Sequence, residues 1–260
     1  MFDRLVWQPD RMLLNDLVFR LEPCEANWEL GDNCFIFHKS KPLMDQYKRF
    51  WSAKNDFHPE NIIELGVWDG GSVAVWFEYF RPKKHVGIDL QSKQDSRYFN
   101  RYVAGRGLES HIKTYWSTDQ ADRKKLRAIV ENEFSAPLDL VIDDASHLYQ
   151  LTKGSFEILF PLLRPGGLYV IEDWAWAHWS AFQAREHPWK TEIPLTRLVF
   201  ELAAAVGSWE GDQPQLSLIS NLSVFQGFIV IERGALQVKH TDLRLEDFIK
   251  GRQMGALFVP

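Results

Sequence analysis

At 260 residues and 45% hydrophobic content, the chain is long enough for one large α/β domain with a full core. A formal net charge of −5 supplies no global basic field and argues against a nucleic-acid partner. The opening MFDRLVWQPDR has acids and a proline where a secretory apolar core would stand, and no run approaches the roughly 18 apolar residues of a membrane span. With two cysteines, Cys24 and Cys34, a cytoplasmic, reducing setting with unpaired thiols is expected.

In chain order, Asp10–Leu21 reads as a helix, and Lys41–Lys54 more clearly so, with Leu43, Tyr47 and Phe50 on one side. Residues 1–55 are expected to form a cap or lid, with the main domain over 56–260. The first clear strand, Asn61–Leu65, runs into Gly66-Val67-Trp68-Asp69-Gly70-Gly71-Ser72 and a helix through Phe80 that Arg81-Pro82 ends. A strand, glycine turn and helix present free N–H groups and a positive helix end at the strand tip. The strand His85–Ile88 ends in Asp89, an acid suited to a ribose diol. His111–Trp116 is a third strand, and Asp119 is a candidate cap for a helix over Ala121–Phe134. Strand Leu138–Ile142, helix Leu151–Leu163 and strand Gly167–Ile171 make one β-α-β unit, the helix stopping at Arg164-Pro165-Gly166-Gly167. A helix Thr196–Val206 follows, then Leu216–Phe225 and Phe228–Ile231, joined tightly at Gln226-Gly227 and hence antiparallel.

Both strands of the β-α-β unit end in acids, Asp143 and Asp144 after the first, Glu172 and Asp173 after the second. Ligands of open parallel sheets bind beyond the carboxyl ends of strands about 4.8 Å apart, so these acids can converge on one cation. His147, three residues past Asp144, adds an imidazole, and the set describes a divalent-metal site with a base beside it. Solvated loop acids and a carbonyl-bound histidine are the plain alternatives. Asp143 is read as a contact on the cofactor side at most, and His178 and Tyr149 are reserve bases. Trp174, Trp176, Trp179 and Trp189, four of eleven tryptophans, follow the second acidic pair and fit either core packing or a pocket wall.

The glycine turn is used by two cofactor classes. A dinucleotide fingerprint needs glycine where this chain has Val67 and Trp68, which argues against NAD. An adenosyl cofactor without phosphates needs a glycine turn, a ribose acid and an adenine-edge acceptor, and Glu64, Gly66 and Gly70, then Asp89, then Asp119 supply them in order.

Together these residues resemble the class I S-adenosylmethionine-dependent methyltransferases, over roughly residues 61–233. The resemblance implies a Rossmann-like α/β fold: a seven-stranded sheet, mostly parallel with a C-terminal antiparallel hairpin and helices on both faces. An N-terminal helical cap would be added to it. It also implies that Glu64, Gly66, Gly70 and Ser72 hold the methionine end, Asp89 the ribose, and Asp119 with Gln120 the adenine. IDDASH followed by GGLYVIEDW is similar to the metal-dependent sugar O-methyltransferases of macrolide and aminocoumarin pathways, and the N-terminal part, through Lys41-Pro42 and Tyr47, to a cephalosporin-hydroxylase-like branch. That likeness implies Asp144, Glu172 and Asp173 as ligands of Mg2+ or another divalent cation, and His147 as general base. A sugar-bearing small molecule is the expected acceptor, with a phenol or vicinal diol as the alternative, and a homo-oligomer is expected. A NAD-dependent oxidoreductase and a non-catalytic methyltransferase-like binding protein are the readings from other classes.

Overall fold

The computed structural model describes residues 2–21, 33–208, 216–238 and 243–249. The chain divides into two compact units, Met1–Asp119 and Gln120–Pro260.

The first unit opens with β1 (Leu5–Trp7), β2 (Arg11–Leu14) and β3 (Leu17–Arg20), an antiparallel meander, and β4 (Phe35–Ile36) joins β3 in parallel. The helix expected over Asp10–Leu21 is therefore a hairpin. Asn15, at φ 56°, turns the chain left-handed, and the buried residues Met12, Leu14, Leu17 and Phe19 alternate along the two strands. Asparagine tolerates that conformation better than most residues, so the Asn15-Asp16 pair outweighed the helix-compatible spacing of apolar residues. The helix α1 (Lys41–Ala53) forms as expected, capped by Ser40, whose side chain accepts the Leu43 N–H, and burying Met44, Tyr47, Phe50 and Trp51.

Next come β5 (Asn61–Leu65), α2 (Gly71–Phe80), β6 (Lys84–Ile88), α3 (Arg97–Arg106) and β7 (Ile112–Tyr115), with β5, β6 and β7 parallel. The sequence reading had no helix at α3. Ser96 caps it by accepting the Phe99 N–H at 3.1 Å, and Gly107 ends it at φ 65°. Its Phe99 accounts for one glycine of the turn: a Cβ on Gly70 would stand 2.5 Å from Phe99 Cε2. Gly70 also has φ 77°, so packing and backbone require glycine there whether or not a ligand approaches.

The second unit holds α4 (Arg123–Glu133), β8 (Leu138–Asp143), α5 (Tyr149–Leu159), β9 (Leu163–Glu172), α6 (Thr196–Val206), β10 (Ile219–Val224) and β11 (Phe228–Arg233). Asp122, not Asp119, caps α4, accepting the Lys125 N–H at 3.0 Å. The α5 helix begins two residues earlier than its apolar spacing suggested and stops at Leu159, with Phe160–Leu162 a 3-10 turn. Pro165 and Gly166 do not precede β9 but lie within it, opposite a register shift between Leu138 and Leu140 of β8. Strand β8 is buried at all six positions, as a parallel strand covered on both faces must be. Leu140, Ile142 and Val170 are wholly inaccessible, each worth about 1.5–3 kcal/mol of burial. The expected C-terminal hairpin is present: β10 pairs β11, and β11 pairs β9, both antiparallel.

These seven strands, β5 to β11, form a sheet that is parallel except for its C-terminal hairpin strands. No described helix is long and apolar enough to cross a membrane.

Candidate functional site

The glycine turn follows the buried strand β5. Gly66, at φ 80°, donates its N–H to Ile88 O at 2.8 Å, and Trp68, at φ 52°, is left-handed as well. Asp89, 8% exposed at the end of β6, closes the turn: its Oδ2 accepts Val67 N–H at 3.1 Å and Trp68 N–H at 2.8 Å, and its Oδ1 accepts Gln91 N–H at 2.8 Å. A carboxylate has about four lone-pair sites, so acceptor capacity remains for a hydroxyl. Asp69, turned inward and 3% exposed, accepts Ile36 N–H from β4 at 3.1 Å, and its burial pushes its pKa up. Ser72 lies in the first turn of α2 and is nearly buried. Asp119, by contrast, is exposed.

Glu64 is fully buried, with neither carboxylate oxygen hydrogen-bonded. Its Oε2 stands 3.3 Å from Nε2 of His85, which is equally buried and lacks a hydrogen bond at either ring nitrogen. Nothing local in the sequence signals this pairing, because residues 64 and 85 meet only across the β5–β6 ladder. Lys93 was missed for a similar reason. Its ammonium lies 4.6 Å from the centre of the Trp68 ring and 4.9 Å from that of Trp116, and burial pushes its pKa down against the charges of Asp89 and Asp69.

In the second unit, each of Asp144, His147 and Asp173 offers one ligand atom, and these atoms lie within 4.8 Å of one another. His147 Nε2 is 3.8 Å from Asp144 Oδ1 and 3.9 Å from Asp173 Oδ2, and all three side chains are partly accessible. Both His147 (φ 56°) and Asp173 (φ 52°) are left-handed, an uncommon state for residues with a Cβ and one concentrated at functional sites. Glu172, expected as a ligand beside them, is not one of this group. It ends β9 at 1% exposure, paired with Phe228, and successive residues at a strand end turn to opposite sides.

Asp143 and Gln120, both expected at the cofactor, are joined to each other. Gln120 Nε2 donates to Asp143 at 3.2 and 3.3 Å, Ser155 Oγ donates to Asp143 Oδ2 at 2.5 Å, and Tyr169 OH donates to the same oxygen at 3.0 Å. Burial raises the pKa of Asp143, which the Ser155 and Tyr169 hydroxyls oppose. Gln120 Oε1 accepts Ser146 N–H at 3.0 Å, so this buried network holds the 144–147 loop. The reserve bases are engaged elsewhere: Tyr149 OH donates to Glu201 at 2.5 Å, and His178 Nε2 lies 2.6 Å from Thr196 Oγ1.

Of the tryptophans, Trp176 is 4% exposed and packs on Phe182 and Trp189, Trp174 donates its indole N–H to Phe225 O at 2.8 Å, and Trp179 is half-buried. Cys34 is a half-buried thiol, while Cys24 lies outside the described residues.

Residues 63–174 match the family described as a methyltransferase domain. The chain is 30% identical over 187 residues to demethylmacrocin O-methyltransferase of Streptomyces fradiae, covering 66% of this chain and 44% of that protein. It is 36% identical over 147 residues to 8-demethyl-8-alpha-L-rhamnosyl tetracenomycin-C 2'-O-methyltransferase of Streptomyces olivaceus, covering 53% of this chain and 35% of that one. Among solved structures, MycE methyltransferase from the mycinamycin biosynthetic pathway, in complex with Mg, SAH and mycinamycin VI, superposes with a TM-score of 0.53 at 30% identity. That alignment covers 73% of this chain and 49% of that one. The chain thus spans about half the length, or less, of these relatives. Residues 63–174 thus carry a methyltransferase domain, and the chain is similar to O-methyltransferases over half or more of its own length.

Proposed function

We propose that the protein transfers a methyl group from S-adenosylmethionine to a hydroxyl of a sugar or glycosylated natural product, with a divalent cation, Mg2+ or a relative, at the acidic site. The observation that carries this reading is the gathering of Asp144, His147 and Asp173 at the ends of two adjacent strands. Two carboxylates and partial exposure suit a hard divalent cation, and the donor set fits one. The glycine turn suits an adenosyl cofactor: Val67 and Trp68 stand where a dinucleotide fingerprint has glycine, while Asp89 keeps acceptor capacity for a ribose hydroxyl. When bound, the cofactor supplies an electrophilic methyl carbon and the cation supplies charge that acidifies a hydroxyl.

The chain's own residues do the rest. Asp144 and Asp173 provide the negative charge that retains the cation, and Glu172, in the expected ligand set, is the acid adjacent to Asp173 in the chain. His147 Nε2 lies beyond hydrogen-bond distance of both carboxylates, which leaves it able to take the acceptor's proton at Nε2. Glu64, Gly66, Gly70, Ser72 and Asp89 hold the cofactor in the first unit, together with Asp119. Gln120 and Asp143 serve the site by holding the loop that carries Asp144 and His147. A sugar-bearing acceptor is favoured by the activities for which the relatives are named.

Thermal unfolding with S-adenosylhomocysteine, Mg2+, both, or NAD tests this on wild type and Asp144→Ala. A ligand at a hundredfold its Kd adds about 2.7 kcal/mol. The expected result is a shift with S-adenosylhomocysteine in both proteins and a Mg2+ increment in wild type alone. A shift with NAD and none with S-adenosylhomocysteine overturns the cofactor assignment, and equal Mg2+ increments in the two proteins overturn the metal site.

A further inference from the structure

The two left-handed residues of the acidic site belong to different loops, His147 after β8 and Asp173 after β9. One residue grips both. Trp176, in the 3-10 turn that follows β9, donates its indole Nε1–H to His147 O at 2.9 Å and its backbone N–H to Asp173 O at 3.2 Å. Its own position is set by ring contacts to Trp189 at 5.1 Å and Phe182 at 5.6 Å between centroids. The His147 carbonyl belongs to a residue in an uncommon backbone state, and such states persist where surrounding contacts over-determine them.

We propose that Trp176 is a positioning residue: its indole N–H fixes the backbone of His147, and so the loop that carries Asp144, relative to Asp173, and thereby sets the spacing of the three side chains and the divalent-cation affinity of the two carboxylates. The proposal rests on the metal site of the preceding section. A plain packing role is the competing account, and it makes a different prediction: loss of the ring environment would matter and loss of one N–H would not. Outer contacts that orient ligand-bearing groups are commonly worth tenfold or more in metal affinity.

The test uses Mn2+ alone as the probe, titrated into the full chain by electron paramagnetic resonance without cofactor or acceptor. Trp176→Phe keeps an aromatic ring and removes the donor. Trp189→Phe alters the same ring cluster and leaves the indole of Trp176 in place. The expected result is a Mn2+ Kd raised about tenfold in Trp176→Phe, with S-adenosylhomocysteine affinity held within about twofold, and little change in Trp189→Phe. An unchanged Kd in Trp176→Phe, or an equal loss in both variants, overturns the proposal. Wild type that takes up no Mn2+ overturns the metal site itself, which is a distinct failure. Should Trp176→Phe not fold, the wild-type indole 15N–1H resonance of Trp176 serves instead. Saturating Mg2+ is expected to move it, and a resonance that stays put overturns the coupling.

Discussion

Four of the six described non-glycine residues with positive φ, namely Trp68, Ser117, His147 and Asp173, sit just past the carboxyl ends of β5, β7, β8 and β9. Each such conformation costs about 1 kcal/mol or more, and they fall where an open α/β sheet places its ligands. At His147 the cost can be separated from the chemistry. His147→Gly relieves the left-handed strain and removes the imidazole, so unfolding free energy is expected to rise by about 1 kcal/mol while turnover disappears. Denaturant melts and a methyl-transfer assay check both, and retained turnover would remove His147 from the role of base. A second residue-scale test concerns Glu64 and His85, both wholly buried and 3.3 Å apart. His85→Leu strands a buried carboxylate and is expected to cost about 3 kcal/mol, whereas the double replacement Glu64→Leu with His85→Leu recovers most of it. Equal losses in single and double variants, measured by urea unfolding, would show that the two side chains do not depend on one another.

Among the elements, those that packing overruled are the instructive ones. The N-terminal hairpin replaced an expected helix because its apolar residues suit period two as well as a helical face, and the turn at Asn15 selected the strands. Helix α3 went unread because its buried residues, Phe99 and Tyr102, form too short a stripe to stand out in a polar segment. Strand β4 is tied to the glycine turn through Asp69, and this tie carries a pH dependence. Burial holds the folded pKa of Asp69 above its unfolded value of 3.8, against the opposing Ile36 N–H, the Ser96 hydroxyl and the charges of Lys93 and Arg20. A raised carboxylate pKa means the folded state binds the proton more readily. The penalty is therefore full above the folded value, shrinks as pH falls through it, and is gone below 3.8. Asp69→Asn keeps an oxygen for Ile36 N–H and removes the charge, so its stability relative to wild type should be greatest near neutrality and decline on acidification. A pH series of thermal melts checks this, and a pH-independent difference would contradict it.

For the whole molecule, the alternation of strands and helices from Asn61 onward was legible, helix α3 excepted, because a fully buried parallel strand such as β8 must be almost continuously apolar. The acid pairs that end them were legible too, since a polar pair at the end of such a run has few structural uses. The sequence by itself thus determined the fold class, the antiparallel C-terminal hairpin and the membership of Asp144, His147 and Asp173 in one region. The tertiary structure alone decided which side chains meet. It paired Glu64 with His85, placed Lys93 against two tryptophans, engaged Asp143 and Gln120 with each other, and set Trp176 on His147. The physical reason is one of range. Strand and helix patterns arise from neighbours within a few residues, whereas each of these contacts spans 21 to 29 residues or, for Lys93, joins two rings 48 apart. Such contacts form only after register and packing have brought separate elements together.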